Sequence, residues 1–370
     1  MIPITLQGKG AWLWLIPRSE NGNPAYIAWA AKMAGLTHVI IKVADGEFLE
    51  NVDPAHGLDL VYPVVEALHR CGIQAFGYQY VYGKVPEGEA EVGLERIHSL
   101  GLDGWVIDAE SEYKATGMAE RARRYMHRLA QAHLQIPVAL SSYRFPGLHR
   151  QLPWREFLEY CDLAMPQVYW MGMHNPAAQV RDCLDQYGTL YGQIGFTRPI
   201  VMTGAAFAEH GWQATPGEVV QFLETAKALA GTDHLLDAVN LWEWWDMRSR
   251  IPDLWPALSN FDWGVKPMND LDIWQRAVTD ALRIEGYEIP NPPADGGAEP
   301  QPYEVVVTGT KPINIRKTPG GLDIGDLQAG SRVFVYPPEQ RMPMGGVWYT
   351  WGRIEHPIDG WIALENTRKV

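Results

Sequence analysis

The chain has 370 residues, 46% of them hydrophobic, and a formal net charge of −13, enough for one large α/β domain with a small companion. The acidic balance argues against nucleic acid as a partner, and no apolar run reaches the roughly 18 to 20 residues of a membrane crossing. The three cysteines, Cys71, Cys161 and Cys183, are odd in number and scattered, which predicts buried thiols rather than a disulfide framework or a metal site.

The first residues, Met1-Ile2-Pro3-Ile4-Thr5, carry neither the charged nor the apolar region of a signal peptide. Either the protein leaves a cytoplasm by another route or a leader has been removed. Short apolar runs then alternate with amphipathic stretches. Strands are expected at Ala11 to Ile16, His38 to Val43, Gln74 to Tyr78, Gly104 to Asp108, Pro137 to Ser141, Leu163 to Tyr169, Pro199 to Thr203 and Ala238 to Glu243. Helical patterns fall between them, over Ala25 to Ala34, Leu58 to Arg70, Glu89 to Leu100, Met118 to Ala132, Pro176 to Tyr187 and Pro216 to Ala230. Eight such units imply a parallel sheet, and eight closes into a (β/α)8 TIM-type barrel over residues 1–265. An open doubly wound sheet would normally carry a Gly-rich phosphate loop after its first strand, and none is present.

Barrels of this kind place their active sites at the C-terminal strand ends, and here those ends are polar. Strand two offers Lys42 and Asp45, strand three Tyr78 and Tyr80, strand four Asp108 and Glu110, strand five Tyr143 with Arg144. Strand six offers Gln167, Tyr169 and Trp170, and strand eight Trp242, Glu243 and Asp246. Polar groups repeated at buried strand ends are poorly explained as core filling. The densest signal is Asp108-Ala109-Glu110. Residues two apart on a strand point the same way, so the two acids should project together, and their repulsion should raise one pKa while leaving the other group ionised. Glycosidic cleavage needs that split. Glu243 stands either as a second working carboxylate across the mouth or as an ion-pair partner of Lys42 or Arg144. The abundance of aromatics, 16 Trp and 16 Tyr, suits a cleft that stacks sugar rings; Trp242, Trp244 and Trp245 are candidates for its floor, with one of them turned toward the helices.

Two family resemblances attach to these residues. His38-Val39-Ile40-Ile41-Lys42-Val43-Ala44-Asp45-Gly46 resembles the second-strand signature of family 25 glycoside hydrolases, the Chalaropsis-type lysozymes, and Asp108-Ala109-Glu110 matches their Asp-x-Glu on strand four. The likeness spans roughly residues 8 to 260. It departs at strand one, where those enzymes carry an Asp and this chain reads Trp12-Leu13-Trp14-Leu15-Ile16. Leu102 to Glu110 is also similar to the strand-four motif of family 18 chitinases, with Val106 in place of its middle Asp, and Met165 to Tyr169 is similar to that family's strand six. Both resemblances imply a cofactor-free hydrolase of β-linked N-acetylhexosamine polymers, peptidoglycan foremost. In it Glu110 is the general acid and Asp108 its electrostatic, nucleophilic or acetamide-orienting partner.

Beyond the barrel, residues 266–288 read as an extra helix (apolar face from Leu271 to Leu282), and 289–302 as a Pro/Gly-rich linker. Residues 303–370 read as all-β, with eight basic and seven acidic side chains. Ile313-Asn314-Ile315-Arg316 with Gly360-Trp361-Ile362 resembles the bacterial SH3-like domain that accompanies wall-degrading enzymes. That resemblance implies a small SH3-like barrel binding cell-wall polysaccharide or peptide. The whole then reads as a secreted or phage-released enzyme acting at the cell wall.

Overall fold

The computed structural model describes residues 6–53, 56–264, 303–308, 311–316, 323–344, 347–358 and 360–370, and the chain divides into two compact units, Met1–Ile289 and Pro290–Val370. The expected helix at 266–288, the linker at 289–302 and the turn at 318–321 lie outside the described residues.

In the first unit eight strands form a closed parallel ring. They are β1 (Gly8–Leu13), β2 (Leu36–Asp45), β3 (Gln74–Val81), β4 (Gly104–Ala109), β5 (Val138–Tyr143), β6 (Leu163–Val168), β7 (Ile200–Ala205) and β8 (Leu235–Trp242). Each pairs with its sequence neighbours, and β1 closes the ring on β2 and β8. The connecting helices are α1 (Pro24–Met33), α2 (Val61–Arg70), α3 (Pro86–Leu100), α4 (Met118–Gln131), α5 (Trp154–Leu158), α6 (Pro176–Ile194), α7 (Pro216–Leu229) and α8 (Leu254–Ser259). Their starts are written locally. Asn23 accepts the Tyr26 amide before α1, and Thr215 with Glu218 makes a reciprocal capping box at α7.

Two differences from the sequence expectation have simple causes. The first strand begins at Gly8, not Ala11, and ends before Ile16, which opens a 3-10 turn containing Pro17. Gly10 belongs in the strand because its missing side chain makes room for His38, which an added Cβ would meet at 2.2 Å. The short helices α5 and α8 escaped the sequence reading, since fewer than two turns give too little periodicity.

Period-two alternation sorts the barrel residues into two layers. Trp12, Ile40, Phe76, Tyr78, Val106, Ala139, Leu163, Met165, Val201 and Ala238 pack inside the ring. Their strand neighbours join the larger shell between strands and helices, with Ile41, Ile107, Leu140 and Val168 among them. The interior is interlocked: a Cβ on inward-facing Gly104 would collide with Phe76 at 2.0 Å. Lys9, 3% exposed, passes out of the ring and donates to the carbonyls of Leu258, Ser259 and Phe261, tying the end of α8 to the barrel. Cys71, Cys161 and Cys183 form no disulfide and are buried in this shell.

The second unit is an antiparallel sheet of seven strands, β9 (Tyr303–Val307), β10 (Ile313–Arg316), β11 (Asp323–Leu327), β12 (Arg332–Met344), β13 (Val347–Ile354), β14 (Gly360–Ala363) and β15 (Thr367–Lys369). The spatial order is β11-β10-β14-β13-β12-β9-β15. Val305, Val307, Ile313, Ile315, Leu327, Val333, Val335, Ile354 and Ile362 form its core. β11 and β15 are strands that the sequence did not announce.

Candidate active site

The inward line of each strand changes character toward its C-terminal end. Ile40 is followed two residues on by Lys42, Tyr78 by Tyr80, Val106 by Asp108, Ala139 by Ser141, Met165 by Gln167 and Val201 by Thr203. The same parity carries Glu110, Tyr143 and Tyr169 to the mouth. Trp170 has the opposite parity, and it is fully buried in the outer shell beside Phe222, ring centroids 5.4 Å apart. It is therefore removed from the candidate site. Periodicity alone places it there, one residue past an inward Tyr.

Asp108 and Glu110 do converge. The amide nitrogen of Gln167 donates to Asp108 Oδ1 at 3.1 Å and to Glu110 Oε1 at 2.9 Å. Asp108 is buried, and desolvation together with the charge of Glu110 holds its carboxyl well above the ordinary range, against the opposing pull of Lys42, Ser141 and Gln167. Glu110 is half-buried. Burial raises its pKa too, helped by Glu112 and opposed by the Gln167 hydrogen bond and by Lys114. The sequence predicted one raised and one ordinary acid. Both are raised, because burial outweighs every favourable contact at either group.

Across the mouth Glu243 is 5% exposed, and its Oε2 is buried without a hydrogen-bond partner among the described residues. Burial with the charge of Asp246 pushes its pKa up to about 7, against the opposing pull of the nearby backbone amides of Trp245, Asp246 and Trp14. Neither proposed partner reaches it. Lys42 Nζ bonds Asp45 Oδ2 at 2.5 Å, and Arg144 Nε donates to Gln179 Oε1 at 2.7 Å. The Lys42–Asp45 pair spans three residues because a β-bulge intervenes: Lys42 lies level with Tyr78, and Asp45 with Tyr80. Asp246 is corrected to a structural role. Its carboxylate accepts the Ala208 amide at 3.0 Å and pairs with Arg250 Nη1 at 3.0 Å, which clamps the β7–α7 loop to the β8 end.

The aromatic floor centres on Trp242, Trp12 and Tyr78, packed edge to face with centroids 4.8 to 6.1 Å apart. Trp12 occupies the strand-one position and donates its indole N–H to Thr203 at 3.2 Å. Tyr78 is buried, and burial with the charges of Asp108 and Glu243 raises its phenol pKa. Tyr169, edge-on to Phe207, is raised by burial and then by Asp108, Glu110 and Glu243, so one phenol senses all three carboxyls. Trp244 is buried against Trp255, whereas the Trp245 ring is contacted by the guanidinium groups of Arg18 and Arg250, 5.1 and 5.5 Å from its centroid. Only Trp242 of that cluster joins the floor. Tyr80 donates to Glu112 Oε2 at 2.7 Å, and Tyr143 stacks on His149 with centroids 3.8 Å apart.

Several contributors were not singled out from sequence. Trp14, 40% exposed, continues the floor beside Trp242 and lies under the Lys42 ammonium. Glu89 on α3 is 1% exposed and accepts the backbone amides of Tyr82, Gly83, Lys84 and Val85. Gln79 donates to the carbonyls of Gly46 and Glu89, joining that loop to the turn after β2. The Pro86 to Glu89 spacing at a helix start was the available clue to Glu89. Among the described residues no group of three or more His, Cys, Asp or Glu is arranged to hold a metal ion, and no helix is long and apolar enough to cross a membrane.

No protein-family model and no curated protein matches the chain. Solved structures similar to it include a glycoside hydrolase family 18 N-acetylglucosaminidase from Paenibacillus barengoltzii, at 13% identity over 69% of this chain and 99% of that one, TM-score 0.46. Active domain 2 of a thermostable chitinase from Pyrococcus furiosus is 12% identical over 78% of this chain and 98% of that one, TM-score 0.49. A spore cortex-lytic enzyme from Bacillus megaterium is 11% identical over 71% and 76%, TM-score 0.45.

Proposed function

We propose that the barrel is a glycoside hydrolase cleaving β-linked N-acetylhexosamine polymers, peptidoglycan first among them. One observation carries the reading: at the barrel mouth a single Gln167 amide holds two carboxyls with raised pKa values two residues apart. Glu110 is the more accessible of the two and burial raises its pKa, so it is the group suited to protonate the glycosidic oxygen. Asp108 lies deeper, beside Tyr78 and within the field of Lys42. From there it stabilises the positive charge that develops on the sugar, or orients the substrate acetamide. Trp242 and Trp14 supply apolar faces for sugar rings. The second unit, read as an SH3-like wall-binding module, raises the local concentration of the barrel on an insoluble polymer. Action at the cell wall, after secretion or phage release, follows from that reading.

The test is release of soluble fragments from purified walls, followed by turbidity and by muropeptide analysis, with chitin in parallel. Glu110→Gln should lower kcat by roughly 10²- to 10⁴-fold with KM little changed. Full activity in that variant would overturn the mechanism. Trp12 at the strand-one position favours a second reading, a carbohydrate-binding protein on a glycosidase-like barrel. Binding without hydrolysis of any wall or chitin substrate by the unmodified protein would establish it instead.

A further inference from the structure

The mouth has one quarter that the mechanism above does not use, and its charge is opposite to that of the whole chain. The register pairs Asp108 with Ser141, so Glu110 and Tyr143, each two residues further on, stand side by side. The 3-10 turn Ser111–Lys114 follows Glu110 directly and carries Lys114 back over the Tyr143 ring, Nζ 3.9 Å from its centroid. His149 stacks on that ring at 3.8 Å with an interplanar angle of 23°. At those separations the ammonium and the imidazole cannot share a face, so the phenol is sandwiched between them. Arg144, the next residue of the chain, lies over Phe145 at 4.8 Å, and its Nε is held by Gln179. Lys114 and Arg144 are close enough to depress the His149 pKa, after burial.

None of these three basic groups has a carboxylate within ion-pair distance among the described residues. Most other arginines of the barrel do, in a chain of net charge −13. The nearest acids are otherwise engaged. Glu112 accepts from Tyr80 and Ser111, and Glu110 from Gln167. A protein whose surface is strongly acidic would repel an anionic polymer. Lys114 and Arg144, two cations without a carboxylate in ion-pair distance among the described residues, offset that repulsion beside Glu110, with the His149 ring next to them. A lysine fixed over an aromatic ring also loses less freedom when it takes up an anion than a free surface lysine would.

The geometry points to an anion subsite formed by Lys114 and His149 around Tyr143, with Arg144 behind. It takes a carboxylate carried by the sugar polymer next to the bond that Glu110 addresses. This rests on the glycosidase reading and narrows its substrate class from β-linked N-acetylhexosamine polymers in general to those that carry a carboxylate beside the cleaved bond. The carboxylate has two possible sources, a lactyl acid on the sugar itself or the end of an attached peptide.

Calorimetric titration of the full-length Glu110→Gln protein, which prevents turnover, tests this with four probes. They are N-acetylglucosaminyl-N-acetylmuramic acid, the same disaccharide with its lactyl group amidated, the disaccharide bearing a dipeptide with a free carboxylate, and chitobiose. The acid should bind at least fivefold tighter than its amide at low ionic strength. The preference should vanish with Lys114→Met added, shrink with Arg144→Gln added, and fade at about 0.5 M salt. A lactyl source makes the disaccharide acid the tightest ligand, whereas a peptide source makes the dipeptide conjugate tightest. Equal affinity for acid and amide would overturn the subsite alone, as would a preference that survives Lys114→Met. Failure of all four probes to bind would overturn the glycan-processing reading with it.

Discussion

At the scale of single residues, the site is governed by how burial competes with hydrogen bonding at three carboxyls. Gln167 lowers the pKa of both Asp108 and Glu110 by donating to each, and burial still wins. Gln167→Leu removes that donor, so the Glu110 pKa should rise, and the alkaline limb of the pH–rate profile should move to higher pH as kcat falls. Glu243 gives a stability signature of opposite use. Its pKa is raised from 4.5 to about 7, so the folded state binds a proton that the unfolded state releases between those values. Its contribution is complete below about pH 4.5 and is lost as pH rises through 7. Melting temperatures of the protein minus those of Glu243→Gln should therefore fall between pH 5 and 8. Taking the difference cancels buried His38, whose pKa burial lowers to about 4 and whose stabilising effect is lost in the other direction, as pH falls.

At the scale of elements, the mouth is shaped by loops whose backbone is fixed from below. Glu89 satisfies four consecutive amides after β3, in the loop that presents Tyr82, whose ring lies 5.0 Å from that of Tyr80 at the end of β3. Glu89→Ala leaves those donors without their acceptor in a buried place, at a cost of about 3 kcal/mol or more, read as a lower denaturant midpoint. KM should rise with it if the tyrosines line the sugar path, and Glu89→Gln should recover part of both effects. How much of this was readable in sequence depends on range. Asp108, Glu110, Gln167 and Tyr169 follow from alternation along a strand, a rule that works locally. Trp170 was misplaced by ignoring that rule for one residue. Glu89, Gln79, Glu112 and Trp14 act through partners on other elements, which no local pattern encodes.

At the scale of the molecule, the barrel and the all-β unit are separate compact units with separate cores. The division of labour proposed above predicts separable losses. A chain ending at residue 289 should hydrolyse soluble oligosaccharides at the rate of the full protein and bind whole walls more weakly, measured by co-sedimentation. Equal sedimentation of the two would remove wall binding from the second unit. All of the excess negative charge belongs to residues before 303, so any electrostatic steering of an anionic or cationic substrate is a property of that part of the chain.

The sequence by itself determined the closed eight-stranded barrel, the β-rich character of the described residues after 302 and the inward polar line at the strand ends. All three follow from short-range periodicity, which the pleat and the helical turn impose on any chain. Only the tertiary structure decided which polar groups meet. It gave Gln167 to both acids, Asp45 to Lys42 and Arg250 to Asp246, and it left Lys114, Arg144 and His149 near Glu110 without a carboxylate in ion-pair distance among the described residues. The two Gln167 pairings join residues 59 and 57 positions apart, whereas the Lys42–Asp45 and Asp246–Arg250 pairs are local in sequence. They are fixed by ring closure, by register and by the bulge in β2, and charge balance at the mouth can be read only after all of these are in place.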